Sequence, residues 1–129
     1  EGDPRVITDN GVLMFDLPEI LFNFDKFDIR DDAKVNLDLL IDKLKRYPQI
    51  DIAIGSHTDI RGTDSYNEIL SQERANSTMN YIVKNGIPAS RVTAKGYGES
   101  KPKIDCSDHE CNDEEHQINR RSEFVIIVR

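Results

Sequence analysis

The sequence lacks most features that would place it in several common protein classes. Tryptophan is absent, only two cysteines occur, and no apolar run approaches the ~20 residues of a membrane-spanning helix. Basic residues are also scarce, since 17 Lys and Arg stand against 24 Asp and Glu, a formal net charge of −7. Nucleic acid and anionic lipid both require a basic surface, so this balance disfavours them as partners. The 37% of hydrophobic residues fall in regular patterns, which is typical of a folded domain.

The length of the chain allows one domain. With 129 residues it is too short for two domains, yet it can bury roughly two-thirds of its unfolded surface and fold without metal or disulfide support. It starts at Glu1 without methionine or a signal-peptide pattern, so we expect a piece of a longer protein. Residues 1–18 are expected to be an irregular lead-in, a linker or a weak first strand. The domain is expected over residues 19–129.

Apolar periodicity predicts four strands and two helices. Short apolar or alternating runs predict strands at 20–24, 50–54, 92–97 and 123–128, the last of them central. The first helix is predicted to start at Asp31 and Asp32, which offer an N-cap, and to end before Pro48.

The second helix is predicted to start at a capping box of Ser65 and Glu68 and to end at the pair Asn85-Gly86. The acidic stretch 98–119 is predicted to be a loop. The resulting βαβαβ–β order predicts an α/β two-layer sandwich, with about four mixed strands and two main helices on one face.

The most informative stretch runs from Thr58 to Ala75. It resembles the pattern T-D-x-x-G-x-x-x-x-N-x-x-L-S-x-x-R-A of the OmpA-like, peptidoglycan-associated C-terminal domains, and every fixed position is met. That family includes the peptidoglycan-associated lipoproteins and the flagellar stator anchors. Further matches lie at Tyr81, 86–87, Arg91, 96–99, Pro102 and 119–121. The resemblance covers about residues 19 to 129 and implies an OmpA-like fold that binds peptidoglycan.

The chemistry of the same stretch points to a charged ligand. Asp59 follows a strand end, and Arg74 lies fifteen residues later on the next helix, so a turn-back of the chain could bring the two charges together. Such a pair can bind a zwitterion, because the carboxylate takes an ammonium and the guanidinium takes a carboxylate with two hydrogen bonds. From the residues alone, a salt bridge that fixes the loop to the helix is the alternative.

The resemblance implies which zwitterion this is, namely the diaminopimelate of the peptidoglycan stem peptide. It implies anchoring roles for Asp59 and Arg74 and a supporting role for Asn67. Asn near a helix start often serves the backbone instead, so both roles stay open for Asn67. Asp25, near the end of the first strand, and Arg120, in an Asn-Arg-Arg motif, are further candidates for the same site.

Neither catalysis nor a cofactor is expected. Ser56, His57 and Asp59 include the residue types of a hydrolytic triad, but triads assemble from positions distant in sequence, and side chains on one short loop diverge. The G-x-S-x-G elbow is absent, and neither cysteine has a nucleophile signature.

Cys106 and Cys111 admit two interpretations. With His116, and His109 between them, they could form a zinc site, although the C-x4-C spacing is wide for it. They could instead form a local disulfide, which the periplasm-facing location implied by the resemblance favours. The acidic residues around them lack the spacing of a calcium loop, so no metal is predicted. This insert resembles versions of the family seen in Bacteroidetes envelopes.

We therefore expect a non-enzymatic, periplasm-facing anchor that holds an outer-membrane protein or lipoprotein to peptidoglycan. Membrane attachment would come from an N-terminal part outside this sequence, and a homodimer is left open. One rival is a protein-interaction module of the cell envelope with a vestigial ligand cleft. Another is a peptidoglycan-cleaving enzyme, which is disfavoured because no positioned acid–nucleophile set is visible.

Overall fold

The computed structural model describes residues 19–128, together with the backbone of two earlier strands, β1 (Val6–Asp9) and β2 (Val12–Phe15). The later strands are β3 (Ile20–Leu21), β4 (Ile50–Ser56), β5 (Val92–Gly96) and β6 (Arg121–Val128). The α-helices of the described part are α1 (Asp31–Arg46), α2 (Asp64–Lys84) and α3 (Asp113–Asn119).

The strands form one mixed sheet in which β6 is central, as predicted. The order is β1-β2-β6-β4-β5, and β3 also pairs with β6. Strand β6 runs antiparallel to β2, β3 and β4, whereas β4 and β5 are parallel. A parallel pair needs a crossover connection, and α2 provides it between β4 and β5.

Both long helices pack on one face of this sheet. Alternate residues of β4 (Ile50, Ile52 and Ile54) are buried on that face, beside Ile126 of β6. Helix α1 contributes its apolar stripe, which consists of Ala33, Leu37, Leu40, Ile41 and Leu44. Helix α2 lies so close to β5 that a Cβ on Gly96 would come within 2.3 Å of a backbone nitrogen of α2. The predicted α/β two-layer sandwich is therefore confirmed.

The helix starts differ from the sequence prediction. Helix α2 begins two residues earlier than the predicted capping box, because the Thr63 side chain accepts the N–H of Tyr66. Asp31 and Asp32 lie in the first turn of α1 rather than at its N-cap. A capping box is present at α3, where Asn112 and Glu115 cap each other's backbone N–H groups. The prediction of a loop throughout 98–119 is wrong at its end.

Part of the expected lead-in belongs to the sheet. Strands β1 and β2 form an antiparallel hairpin, and β2 pairs with β6 through Val12↔Ile127 and Leu13↔Ile126. The rest of that segment, residues 1–5, 10–11 and 16–18, lies outside the described residues. A domain boundary at residue 19 stays a prediction. None of the described helices has the length and apolar character that crossing a membrane requires.

Candidate functional site

One cleft lies at the end of β4, where the chain enters the loop before α2. It has a volume of about 290 Å³ and lies between that loop, α2, the turn after β3 and the start of β6. Its wall contains all five residues predicted for the ligand site, namely Asp25, Asp59, Asn67, Arg74 and Arg120. The volume lies at the lower end of the range for small-molecule sites, so it suits a small ligand group.

Asp59 is buried and its carboxylate accepts from two guanidinium groups. Arg61 donates from its backbone N–H (2.9 Å), its Nε (3.2 Å) and its Nη2 (2.8 Å), and Arg120 donates from Nη1 at 3.0 Å. Burial opposes ionisation, but the hydrogen bonds from Arg61 and Arg120 outweigh it and hold the pKa of Asp59 below its ordinary value. These four bonds fill the roughly four acceptor positions of a carboxylate.

Arg74 is completely buried, and it does not form the simple salt bridge with Asp59. Its guanidinium donates to three backbone carbonyls, those of Lys26 (2.7 Å), His57 (3.1 Å) and Asn23 (3.1 Å). Burial, aided by the charge of Arg120, lowers its pKa to about 10, so the group stays charged at neutral pH. Three of its five N–H donors are used in these bonds, which leaves one N–H on each of the two terminal nitrogens.

Arg74 also stabilises the turn after β3, which contains Asp25. Asp25 has a φ of 60°, a left-handed conformation that is uncommon for residues other than glycine. The carbonyls of Asn23 and Lys26, on either side of it, are both bonded to Arg74. The Asp25 carboxylate faces the cleft and accepts from the Tyr66 hydroxyl. Arg74 therefore positions this second carboxylate as well.

Asn67 and Arg120 brace the loop beneath the cleft. The Asn67 amide donates to the Arg61 carbonyl (3.0 Å) and to the Glu99 carboxylate (2.7 Å). Arg120 donates from Nε to the Phe22 carbonyl at 2.8 Å, in addition to its bond with Asp59. Both residues line the cleft, and both already have partners within the protein.

Sequence reasoning missed Arg61 and Tyr66. Arg61 covers Asp59, stacks its guanidinium 4.2 Å above the Phe24 ring and keeps 37% of its side chain exposed. Each stands at a position that the motif leaves free, so the pattern alone carried no signal for either. With Arg61 included, three guanidiniums face two carboxylates across the cleft, an excess of one positive charge (3 − 2 = +1).

The residue types of a hydrolytic triad do not converge. The Ser56 hydroxyl bonds the Ser122 hydroxyl, and the Nε2 atom of buried His57 lies 3.6 Å from a Glu123 carboxylate oxygen. Asp59 instead faces Arg61 and Arg120. Each of the three side chains thus has a different set of neighbours.

Burial of His57 predicts a loss of stability in mild acid. Burial, followed by the charge of Arg121, lowers its pKa to about 4, whereas an unfolded histidine titrates near 6.5. Between these values the unfolded chain binds a proton that the folded chain does not, so the free energy of unfolding falls as the pH drops from about 6.5 to about 4. Denaturant unfolding should show a loss on the order of 2 kcal/mol across this window.

His57→Gln should remove this slope, while His109→Gln should not, because His109 is exposed and its pKa is raised by hydrogen bonds to Asp108 and Glu115. An unchanged slope in His57→Gln would refute the assignment.

The predicted disulfide between Cys106 and Cys111 is present, with 5.5 Å between the two Cα atoms. It closes a short loop that leads into α3. His109 lies beside Cys111, whereas His116 is buried in α3. The zinc interpretation that paired both cysteines with His116 does not describe this state, because the sulfur atoms are bonded to each other.

The OmpA family model matches residues 21–116. The Photosystem I P700 chlorophyll a apoprotein A2 of Gloeobacter violaceus is 43% identical over 122 residues, which cover 90% of this chain and 14% of that protein. Outer membrane porin F of Pseudomonas fluorescens is 36% identical over 108 residues, 84% of this chain and 32% of that protein. The chain thus spans less than a third of either relative.

Among solved structures, the peptidoglycan-associated lipoprotein of Burkholderia pseudomallei is similar to this fold. The TM-score is 0.77 at 29% sequence identity, with 84% of this chain and 88% of that chain covered.

Proposed function

The chain belongs to the OmpA family, and we propose that it binds peptidoglycan non-covalently through the diaminopimelate of the stem peptide. In this role it is a non-enzymatic anchor of the outer envelope, facing the periplasm. The observation that carries the proposal is the cleft itself, in which three guanidiniums and two carboxylates surround one small volume. Opposite charges at fixed positions suit a ligand that carries both an ammonium and a carboxylate.

The two ends of the zwitterion find different partners. Its carboxylate binds the remaining N–H donors of Arg74. Three backbone carbonyls already hold this side chain in position, so it loses little conformational entropy when the ligand binds. Its ammonium lies between Asp25 and Asp59. Asp59 becomes available when Arg61, the more exposed of its two guanidinium partners, gives up a hydrogen bond to the ligand.

Asp59→Asn tests this site in a binding assay on purified diaminopimelate-type sacculi. The substitution keeps the side-chain shape and removes the charge, so it should weaken retention at least tenfold, since lost contacts of this kind cost about 2–5 kcal/mol. Asp42→Asn is the matched control, because Asp42 pairs with Arg46 on the exposed surface of α1, and it should bind like the wild type.

Arg61→Gln separates the roles of the two guanidiniums on Asp59. The substitution frees acceptor positions on Asp59 while Arg120 stays in place, so the variant should bind sacculi at least as tightly as the wild type.

The Asp59→Asn result decides between the two functions. If this variant, with thermal unfolding checked separately, is retained on sacculi like the wild type, the site is rejected and a protein-interaction module is favoured.

A further inference from the structure

The disulfide loop contains a cluster of metal-ligating side chains that lies outside the peptidoglycan cleft. Nε2 of His109 lies 3.6 Å from Sγ of Cys111 and 3.1 Å from a carboxylate oxygen of Glu115. The donor atoms of these three residues all lie within 4.8 Å of one another. Cys106 adds a second sulfur, because it is bonded to Cys111. Reduction of this disulfide would add the Cys106 thiolate, so four side chains of the types that bind zinc are grouped in this loop.

The spacing of these donors resembles that of a tetrahedral zinc site. With Zn–S bonds of about 2.3 Å and Zn–N or Zn–O bonds of about 2.0–2.1 Å, neighbouring ligand atoms lie about 3.3–3.8 Å apart, the sulfur pair being the widest. The observed 3.6 Å from nitrogen to sulfur and 3.1 Å from nitrogen to oxygen are close to these values. The two sulfur atoms are bonded to each other, so they must separate on reduction before an ion can bind between them.

The neighbours of the cluster already orient its ligands. Nδ1 of His109 lies 2.6 Å from the Asp108 carboxylate, the pairing that orients a metal-ligating histidine so that its Nε2 can bind the ion. The second oxygen of Glu115 accepts the Asn112 N–H at 3.0 Å. The amide of Asn119 lies 3.8 Å from Sγ of Cys106, where it can donate to a thiolate. Each of these contacts orients a ligand as a supporting hydrogen bond does in metal sites.

We propose that this loop, once its disulfide is reduced, binds one Zn²⁺ through Cys106, Cys111, His109 and Glu115. A dithiol reductant supplies two electrons and two protons, the S–S bond becomes two thiols, and the dithiol becomes its own disulfide. Zinc then displaces the two thiol protons and binds the thiolates. The ion takes over the cross-link that the disulfide provides, so the segment before α3 stays closed in both states. The proposal does not depend on peptidoglycan binding.

The test measures zinc stoichiometry on the whole chain in both redox states. Protein reduced with a dithiol and desalted without oxygen is mixed with one equivalent of Zn²⁺ and examined by native mass spectrometry. We expect one bound ion in the reduced protein and none in the oxidised protein. Co²⁺ as a probe should add thiolate-to-metal absorption to the reduced sample alone, which reports ligation directly even if the loop shifts.

Glu115→Gln and Glu114→Gln form a matched pair in the same helical turn. Glutamine retains the capping box at position 115 but loses the anionic ligand, so reduced Glu115→Gln should bind zinc at least tenfold more weakly, as should His109→Gln. Reduced Glu114→Gln should match the wild type. Equal zinc binding by the oxidised protein, no binding by the reduced protein, or equal losses in the two glutamate variants would overturn the proposal.

Discussion

Arg74→Ala is expected to lose binding to diaminopimelate-type sacculi by about a hundredfold or more, the largest effect of any single change in this cleft. The substitution removes the buried guanidinium that receives the ligand carboxylate, and such losses cost about 2–5 kcal/mol. It also releases the carbonyls of Asn23 and Lys26, so the turn that presents Asp25 loses its support. Sedimentation with sacculi, or titration with a soluble diaminopimelate peptide, measures the loss.

Arg91→Ala is the matched control for this experiment. Arg91 also donates to three backbone carbonyls, those of Leu44, Tyr47 and Ile50. It directly precedes β5 and contacts the first residue of the parallel strand β4, at the opposite end of that strand from the cleft. Both substitutions leave buried carbonyls unpaired and should lower the free energy of unfolding. Arg74→Ala alone should lose binding. An equal loss of binding in Arg91→Ala would assign the effect to general destabilisation, and full binding by Arg74→Ala would remove Arg74 from the site.

The main architecture could be predicted because its signals are local and periodic. In β4 every second residue from Ile50 to Ile54 is an isoleucine that faces the helices, and in α1 the apolar residues recur every three or four positions. The same reasoning failed for α3, whose seven residues contain one isoleucine, Ile118, and that side chain is 40% exposed. Helix α3 depends on its cap rather than on an apolar face, so periodicity could not reveal it.

Helix starts were ambiguous for a related reason. Thr63 and Ser65 both offer a hydroxyl at the entrance to α2, and the spacing of Ser65 to Glu68 matches a capping box. The structure uses Thr63, because its backbone is extended while Ser65 is already helical. Which of two adequate caps is used depends on how the loop from β4 enters the helix, and a local pattern does not contain that information.

The composition of the cleft could be predicted, but its internal pairing could not. The motif brought Asp59, Asn67 and Arg74 together because its spacing fixes a strand end and one helix face. It did not show that Asp59 pairs with Arg61 and Arg120 while Arg74 bonds carbonyls. These choices depend on the path of the turn after β3, which lies more than thirty residues earlier in the chain.

Discrimination between diaminopimelate and lysine stem peptides should be large, about a hundredfold in favour of diaminopimelate. A lysine in that position has the ammonium but not the second carboxylate, so the remaining donors of Arg74 would stay unpaired in a buried site. Sites built to hydrogen-bond a substrate group reject analogues without that group by large factors, because their own polar atoms are left unsatisfied. Titration of the wild-type chain with the two otherwise identical peptides measures the ratio.

Arg74→Lys tests whether the Arg74 side chain is what distinguishes the diaminopimelate peptide from the lysine peptide. The lysine retains a positive charge but cannot present two parallel N–H groups, so it should bind diaminopimelate peptide more weakly yet measurably. The lost contact is the one that distinguishes the peptides, so the ratio of their affinities should shrink in the variant. The wild-type ratio divided by the variant ratio, expressed as a free energy, is the coupling between Arg74 and the carboxylate. Equal affinities in the wild type, or the same ratio in Arg74→Lys, would show that another group recognises the ligand and that Arg74 only supports the turn that carries Asp25.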